Sequence, residues 1–299
     1  MLDREQLETF ATIVEEQSFE RAASVLNITR GAVSQRIKAL EESLATILLV
    51  REKPVVPTAR GEVLLRHVKA LRLLEDAALQ ELAPGPKAHA PVPMSIAVNA
   101  DSLATWFAPV LWLLLRTRRI ALEVVTDDQD HTHSRLSRGE VVGCISTQPK
   151  PAAGFVAEAL GAMQYRCYAS RAFAEEYFGD GLTVPAALVA PAVLFNRKDS
   201  LHDEFLRERF GFRLDRYVKH YLPSPLTLRE GIAAGIGYGL VPTQHASSMA
   251  GCLIDVAPDS PVQVHLYWHH WQVEPSLSEE ITRLVVEQAR RCLLQAAST

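Results

Sequence analysis

Two groups of side chains in this 299-residue sequence have the types and spacing to do chemistry. The first lies between Ser18 and Arg51. Arg30, Ser34, Gln35 and Lys38 are spaced to share one side of a helix, with Arg36 at its edge. Arginine and lysine meet phosphates, and glutamine can bond adenine through both atoms of its amide. The stretch Thr29–Leu40 holds three positive charges (Arg30, Arg36, Lys38) and no acid. The second group comprises Asn99, Asp101 and Ser102, then Asp127 and Asp128, then Ser146, Thr147 and Gln148. Carboxylates beside hydroxyls and amides suit a small ligand that carries a carboxylate and one or two ammonium groups.

Other residues suggest chemistry that their spacing opposes. His269 and His270 are neighbours in a strand pattern, so they point to opposite faces and make a poor metal site. Gly235-Ile236-Gly237-Tyr238-Gly239 lacks phosphate-loop spacing and fits a tight helix-to-strand turn. No serine has nucleophile-elbow spacing, so the sequence does not read as an enzyme. The four cysteines (Cys144, Cys167, Cys252, Cys292) form no CxxC or zinc pattern, which suits reduced thiols in the cytoplasm. No metal or other cofactor is expected.

The first group needs a helix pair to present it. Ser18 caps one helix, Asn27-Ile28 interrupts it, and Thr29 caps the next. Small Ala22 and Ala23 suit a close crossing. Val33, Ile37, Leu40 and Leu44 form a buried stripe, which turns Arg30, Ser34, Gln35 and Lys38 outward. This is a helix-turn-helix whose second helix would enter the major groove. Gln35 is expected to read adenine, and Arg30 or Arg36 guanine or phosphate. Ser18, Thr29, Ser34 and Lys38 are expected on phosphates. A helix over Asp3–Glu16 packs behind the pair through Leu7, Phe10, Ala11 and Val14. Ile47–Arg51 and Lys53–Pro57 read as a strand-loop-strand wing that carries Arg51 to the DNA backbone. Residues 1–60 carry eight Lys/Arg and nine Asp/Glu, and the whole chain is at −4. Such a module grips DNA weakly alone and depends on specific contacts or on a second copy.

The second copy has an evident handle. Thr58–Leu82 is a long amphipathic pattern with Val63, Leu64, Val68, Leu71, Leu74 and Leu82 on one side, suited to pairing with itself. Four prolines between Ala83 and Pro93 then mark a linker. Beyond it strand and helix alternate. Strands are expected at Met94–Val98, Ile120–Thr126 and Val141–Ser146, and helices at Leu103–Arg116 and Thr132–Arg138. A second set has strands at Tyr165–Ala169, Ala192–Phe195, Lys219–Leu222, Tyr238–Val241 and Val264–His269. Its helices are Ala172–Tyr177, His202–Phe210, Leu226–Ala234 and Ser276–Leu294. The alternation predicts a mostly parallel sheet in two α/β halves with a ligand crevice at the strand ends. Each acidic or polar set named above follows one of the first three strands. Ser102, at a helix start, suits a carboxylate. Met1–Gln17 has no apolar leader core, and apolar runs such as Phe107–Leu115 are far too short to span a membrane.

These motifs together resemble the LysR-type transcriptional regulators. The match runs through Phe19, Ala22, Ala23, Ser34, Ile37, Leu40 and Glu41, through Pro57-Thr58-x-x-Gly61, and through Gly235-x-Gly237-x-Gly239-Leu240-Val241-Pro242. The resemblance implies a winged helix-turn-helix, a dimerising linker helix and a two-lobed periplasmic-binding-protein-like α/β domain. It also implies a homodimer or homotetramer that bends double-stranded promoter DNA and works with RNA polymerase in the nucleoid-associated cytoplasm. The implied division is 1–58 for DNA binding, 59–93 for linker helix and hinge, 94–163 plus 267–299 for lobe I, and 164–266 for lobe II. The stretch from Ala97 to Trp106 (AVNADSLATW), with Arg138–Gly143 and Leu266–His269, is similar to the lysine- and arginine-responsive ArgP/IciA-type branch. That branch implies a basic amino acid effector and control of an amino acid export gene. Ser224-Pro225-Leu226-Thr227 departs from that branch's Ser-Ser-Glu-Ala and lacks its acid. A regulator with a different small effector is the alternative within the class. Outside it stand a solute-binding protein, opposed by the missing leader, and an enzyme, opposed by the missing catalytic set.

Overall fold

The computed structural model describes residues 2–82, 91–126, 135–214, 216–247, 249 and 251–295. Three helices open the chain: α1 (Arg4–Glu16), α2 (Phe19–Val25) and α3 (Arg30–Ser43). Their caps are local and strong. Asp3, Ser18 and Thr29 accept from the backbone N–H groups of Gln6, Arg21 and Ala32. Asn27, at φ 53°, makes the turn between α2 and α3. Phe10, Ile13, Ala22, Val33, Ile37 and Leu40 fill the centre of this unit, each with no exposed surface. Burying a large apolar side chain contributes about 1.5–3 kcal/mol, so this stripe is what holds the three helices together.

The wing is a short antiparallel ribbon, β1 (Leu49–Val50) with β2 (Val56–Pro57). Its Leu48, Leu49 and Val55 join the helical core. Helix α4 (Ala59–Leu82) follows at once. Thr58 Oγ1 accepts from the N–H of Gly61 (3.1 Å) and donates to the carbonyl of Ile47 (2.8 Å), which ties helix to wing. The apolar stripe expected on α4 divides between two faces. Leu64, Leu65 and Val68 pack into the DNA-binding unit, and Leu73 into the next domain. Val63, Leu71, Leu74, Leu79 and Leu82 are exposed.

Beyond the linker, one sheet runs in the order β10-β6-β11-β5-β3-β4, with β9 also on β6. These are β3 (Val92–Ala97), β4 (Ile120–Val125), β5 (Gly143–Ser146), β6 (Phe155–Ser170), β9 (Gly239–Pro242), β10 (Leu253–Asp255) and β11 (Val262–Trp271). A second, parallel pair is β7 (Ala192–Leu194) with β8 (Lys219–Tyr221). The mostly parallel sheet expected from the alternation is corrected here. Only β3–β4 and β3–β5 are parallel in the large sheet; β6, β9, β10 and β11 pair antiparallel. The strand expected at Tyr165–Ala169 is the end of β6, which is 16 residues long. Its first half, rich in alanine and broken by Glu158 and Gly161, has poor strand propensity and is held by its register against β11. That register shifts between Leu266 and Tyr267, opposite Gly161 at φ 115°.

Helices cover the sheets. α5 (Ala100–Ser102) leads through a π-turn at Leu103–Phe107 into α6 (Ala108–Thr117). Pro109 has no N–H to give, which accounts for a widened turn where the sequence predicts plain helix. Then come α7 (Arg171–Tyr177), α8 (Val184–Val189), α9 (Leu201–Phe210), α10 (Pro225–Ala233), α11 (Thr243–Ser247) and α12 (Ser276–Cys292). The start of the helix expected at Thr132–Arg138 lies outside the described residues; 135–137 are helical. Among the described residues, no helix is long and apolar enough to cross a membrane.

Candidate DNA-reading face and effector cleft

Helix α3 presents Arg30, Ser34, Gln35 and Lys38 to solvent because Val33, Ile37 and Leu40 occupy its other side. Arg30 lies 3.1 Å from Glu20, and Lys38 3.7 Å from Glu42. Exposed pairs of this kind are worth about 0–1 kcal/mol, so phosphates can displace them. The Ser18 and Thr29 hydroxyls serve as caps at the rim of the same face. Arg51 reaches back from the wing to Glu41 (3.1 Å), whose other carboxylate oxygen accepts from the N–H of Leu48 (2.8 Å). Glu41 thus fixes the wing against α3. The Arg36 guanidinium turns onto α1, 2.5 Å from Glu5 and 3.3 Å from Thr9 Oγ1. Arg36 is thus held at the edge of the face, toward α1, by a pair whose Glu5 side chain is mostly exposed.

Of the second group, Asp101 lines a small cavity; Asn99, Ser102, Ser146, Thr147 and Gln148 lie outside its lining. Asp101, on α5 after β3, accepts from the phenol of Tyr165 on β6 at 2.6 Å. Burial raises the Asp101 carboxyl above the ordinary range; the Tyr165 bond opposes this, and the nearby charge of Asp199 adds to it. Ser102 Oγ and Asn99 Oδ1 are buried with no hydrogen-bond partner. Ser146 is buried at the end of β5, where its Oγ accepts from the N–H of Gln148 (3.1 Å). Thr147 is half-buried beside it. The Gln148 carbonyl accepts from His269 Nε2 at 2.7 Å. Asp127 and Asp128 lie outside the described residues.

The cleft has a second wall that the strand-end rule, applied to the first three strands alone, misses. Phe195, Asp199 and His202, on the loop after β7 and the start of α9, line the same cavity as Asp101 and Tyr165. Applying the rule to the strand at Ala192–Phe195 would have reached Asp199. Pro225 and Leu228 of α10 also line it. Leu226, where the branch pattern has its acid, is 49% exposed and outside the lining. The cavity is about 30 Å³, room for about one water, so an amino acid enters only as the walls part.

His269 and His270 point apart, as strand alternation requires: His270 Nδ1 lies 3.0 Å from Glu274 on the other side. No cluster of three or more metal-ligating side chains occurs among the described residues. The glycine repeat is a packing device. A Cβ on Gly237 would stand 2.5 Å from the Pro191 carbonyl oxygen, and one on Gly239 would collide with that of Val193. All four cysteines are free, and burial pushes the Cys144 thiol up to about 12.

Residues 4–62 match the bacterial regulatory helix-turn-helix proteins of the lysR family, and residues 93–290 match the LysR substrate binding domain. The chain belongs to the LysR family. Curated relatives named HTH-type transcriptional regulator ArgP include that of Vibrio cholerae, 39% identical over 296 residues, covering 98% of this chain and 99% of the relative. The Aeromonas salmonicida protein of the same name is 39% identical over 294 residues and 98% of both chains. Among solved structures, ArgP from Mycobacterium tuberculosis superposes with TM-score 0.88 at 36% identity, covering 99% of this chain and all of that one. Full-length LysG from Corynebacterium glutamicum, solved with the effector Arg bound, gives 0.85 at 33% identity, covering 98% of this chain and all of that one. These relatives are transcriptional regulators rather than enzymes, and so is this LysR-family chain. Its helix-turn-helix binds DNA, and its substrate-binding domain takes a small-molecule effector.

Proposed function

We propose that this regulator senses lysine or arginine in the cleft at Asp101 and thereby controls transcription of a transport gene, an exporter of basic amino acids. The observation that carries the reading is the Asp101 carboxylate. It is a half-buried carboxyl whose side-chain partner in the structure is one phenol, and a cationic ligand would complete it. The bound arginine in LysG supports the same ligand class. Asn99, Ser102, Ser146, Thr147 and Gln148 then hold the amino acid end of the ligand, joined by Asp127 and Asp128 from outside the described residues. The exposed Val63, Leu71, Leu74, Leu79 and Leu82 suit α4 to pairing with a second copy. Two copies place two recognition helices on one duplex, and two dimers make the tetramer that bends promoter DNA beside RNA polymerase, in the cytoplasm at the nucleoid. The functional units are 1–58, 59–93, lobe I (94–163 plus 267–299) and lobe II (164–266). Ligand-induced closure of the lobes shifts an equilibrium only as far as the ligand prefers one state.

Calorimetry on the full chain tests the effector. Arginine or lysine should bind and glutamate should not. No heat from either basic amino acid at millimolar concentration would defeat the reading. On the DNA side, Gln35→Ala is expected to cost about 1–3 kcal/mol on the cognate duplex and little on a scrambled one. Lys38→Ala, which removes a phosphate contact, should weaken both duplexes alike and lower the salt dependence. Equal losses on both duplexes for Gln35→Ala, measured by fluorescence anisotropy, would remove its base-reading role.

A further inference from the structure

The cleft holds a second acid whose place in the fold differs from that of Asp101. Asp101 follows β3 in the large sheet, and Asp199 follows β7 in the small one. Both line the same small cavity. Burial, first of all, raises both carboxyls, and the charge of Asp199 raises Asp101 further. Hydrogen bonds relieve part of this. Tyr165 donates to Asp101; the Leu201 N–H donates to Asp199 Oδ1 at 3.0 Å, and the Phe195 backbone also bonds Asp199. His202 lines the same cavity, 2% exposed, with neither ring nitrogen partnered. Its pKa, lowered to about 4 by burial, keeps it neutral at pH 7, so one nitrogen can accept from a ligand N–H. Unpartnered buried polar atoms are rare in folded proteins, and here they stand beside two carboxylates that repel. Asp203, Glu204 and Lys219 also act on this wall, with Lys219 engaged with Asp203 at 2.7 Å, and Arg197 and Lys198 precede Asp199 in the same loop.

We propose that Asp199 determines the specificity of the cleft: opposite Asp101 and beside His202, it clamps the side-chain cation of a basic amino acid between the two sheets. The clamp rests on the basic amino acid reading above. A cation between the acids turns one repulsion into two charge-assisted hydrogen bonds, one to each side of the cleft. Ligand charge, rather than ligand length, then decides which amino acid is held. Phe195 supplies an apolar surface for the aliphatic stem. The structural role of Asp199 is its bonds with the backbone at Leu201 and Phe195; asparagine keeps one acceptor oxygen for them while losing the charge, and any cost of the lost bond falls on arginine and citrulline alike.

Calorimetry on the full chain with L-arginine, L-lysine and the neutral isostere L-citrulline separates these roles. Asp199→Asn should weaken arginine and lysine by about 100-fold, the order expected when a buried charge pair loses one partner. Citrulline, weak on the unaltered chain, should change by no more than about threefold, since a neutral group loses no ion pair. Asp101→Asn and Asp199→Asn should combine non-additively, because one cation serves both. Unchanged arginine and lysine affinity in Asp199→Asn would overturn the clamp and leave the basic amino acid reading standing. Equal losses for arginine and citrulline would also overturn it, since shape rather than charge would then be at stake. Failure of the unaltered chain to bind either basic amino acid would overturn both.

Discussion

Alanine at Gly61 is expected to cut DNA affinity by roughly 10- to 100-fold and to leave effector affinity within about twofold, the span that an overpacking cost of about 1–3 kcal/mol implies. Gly61 lies in the first turn of α4 where that helix crosses the wing. A Cβ there would collide with the carbonyl oxygen of Leu48 and stand 3.1 Å from the Pro57 Cβ. A backbone oxygen has no rotamer to escape into, so helix and wing must separate. The same carbonyl accepts from the Thr58 N–H at 2.9 Å, and Thr58 caps α4 through Gly61 itself. One methyl group therefore disturbs a cap, a wing bond and the buried Leu48 together. Arg51 and the end of α3 move with the wing through Glu41. The effector cleft shares no residue with this junction. Anisotropy with a promoter duplex and calorimetry with arginine read the two effects, and an unchanged DNA affinity would show that the wing need not be held on α4.

The DNA-binding half was legible because its signals are local. Asp3, Ser18, Thr29 and Thr58 each cap the helix they precede in the sequence, and the spacing of Val33, Ile37 and Leu40 fixes which face of α3 is free. The direction of the Arg36 guanidinium was not legible, because it depends on α1, a neighbour that periodicity within α3 does not describe. The effector domain was legible as alternating α/β but not in its strand directions. β6 gains its first half through β11, about a hundred residues later in the chain, with a bridge from Ala162 to Leu294 beside it. The cleft was half legible for the same reason. Asp101 sits in a motif with a strand before it and a helix after it. Asp199 and His202 reach Asp101 only because β7 and α9 pack across from β6. The acid missing at Leu226 loses its weight once that side chain is seen outside the lining.

Asparagine at Asp101 is expected to raise the thermal stability of the ligand-free chain at neutral pH while lowering arginine affinity by about 100-fold, as for a buried ion pair stripped of one member. The two signs have one cause. Burial raises the Asp101 carboxyl, so the folded state holds this proton more tightly than the unfolded state does. Below the unfolded value, about 3.9, both states are protonated and the aspartate carries no penalty. As pH rises through the folded value, the ionised carboxylate loses hydration that Tyr165 replaces only in part, and stability is lost. Asparagine does not titrate, and its side-chain oxygen still accepts from Tyr165. Melting temperatures of the two chains should therefore converge as pH falls toward 4 and separate as it rises toward 7. A lower melting temperature for Asp101→Asn at pH 7 would mean that the fold itself already satisfies the carboxylate, and the cleft would then have no unmet negative charge to offer a basic amino acid. The predicted sign instead makes the ligand the missing partner, since the charge that weakens the empty protein is the one that holds the effector.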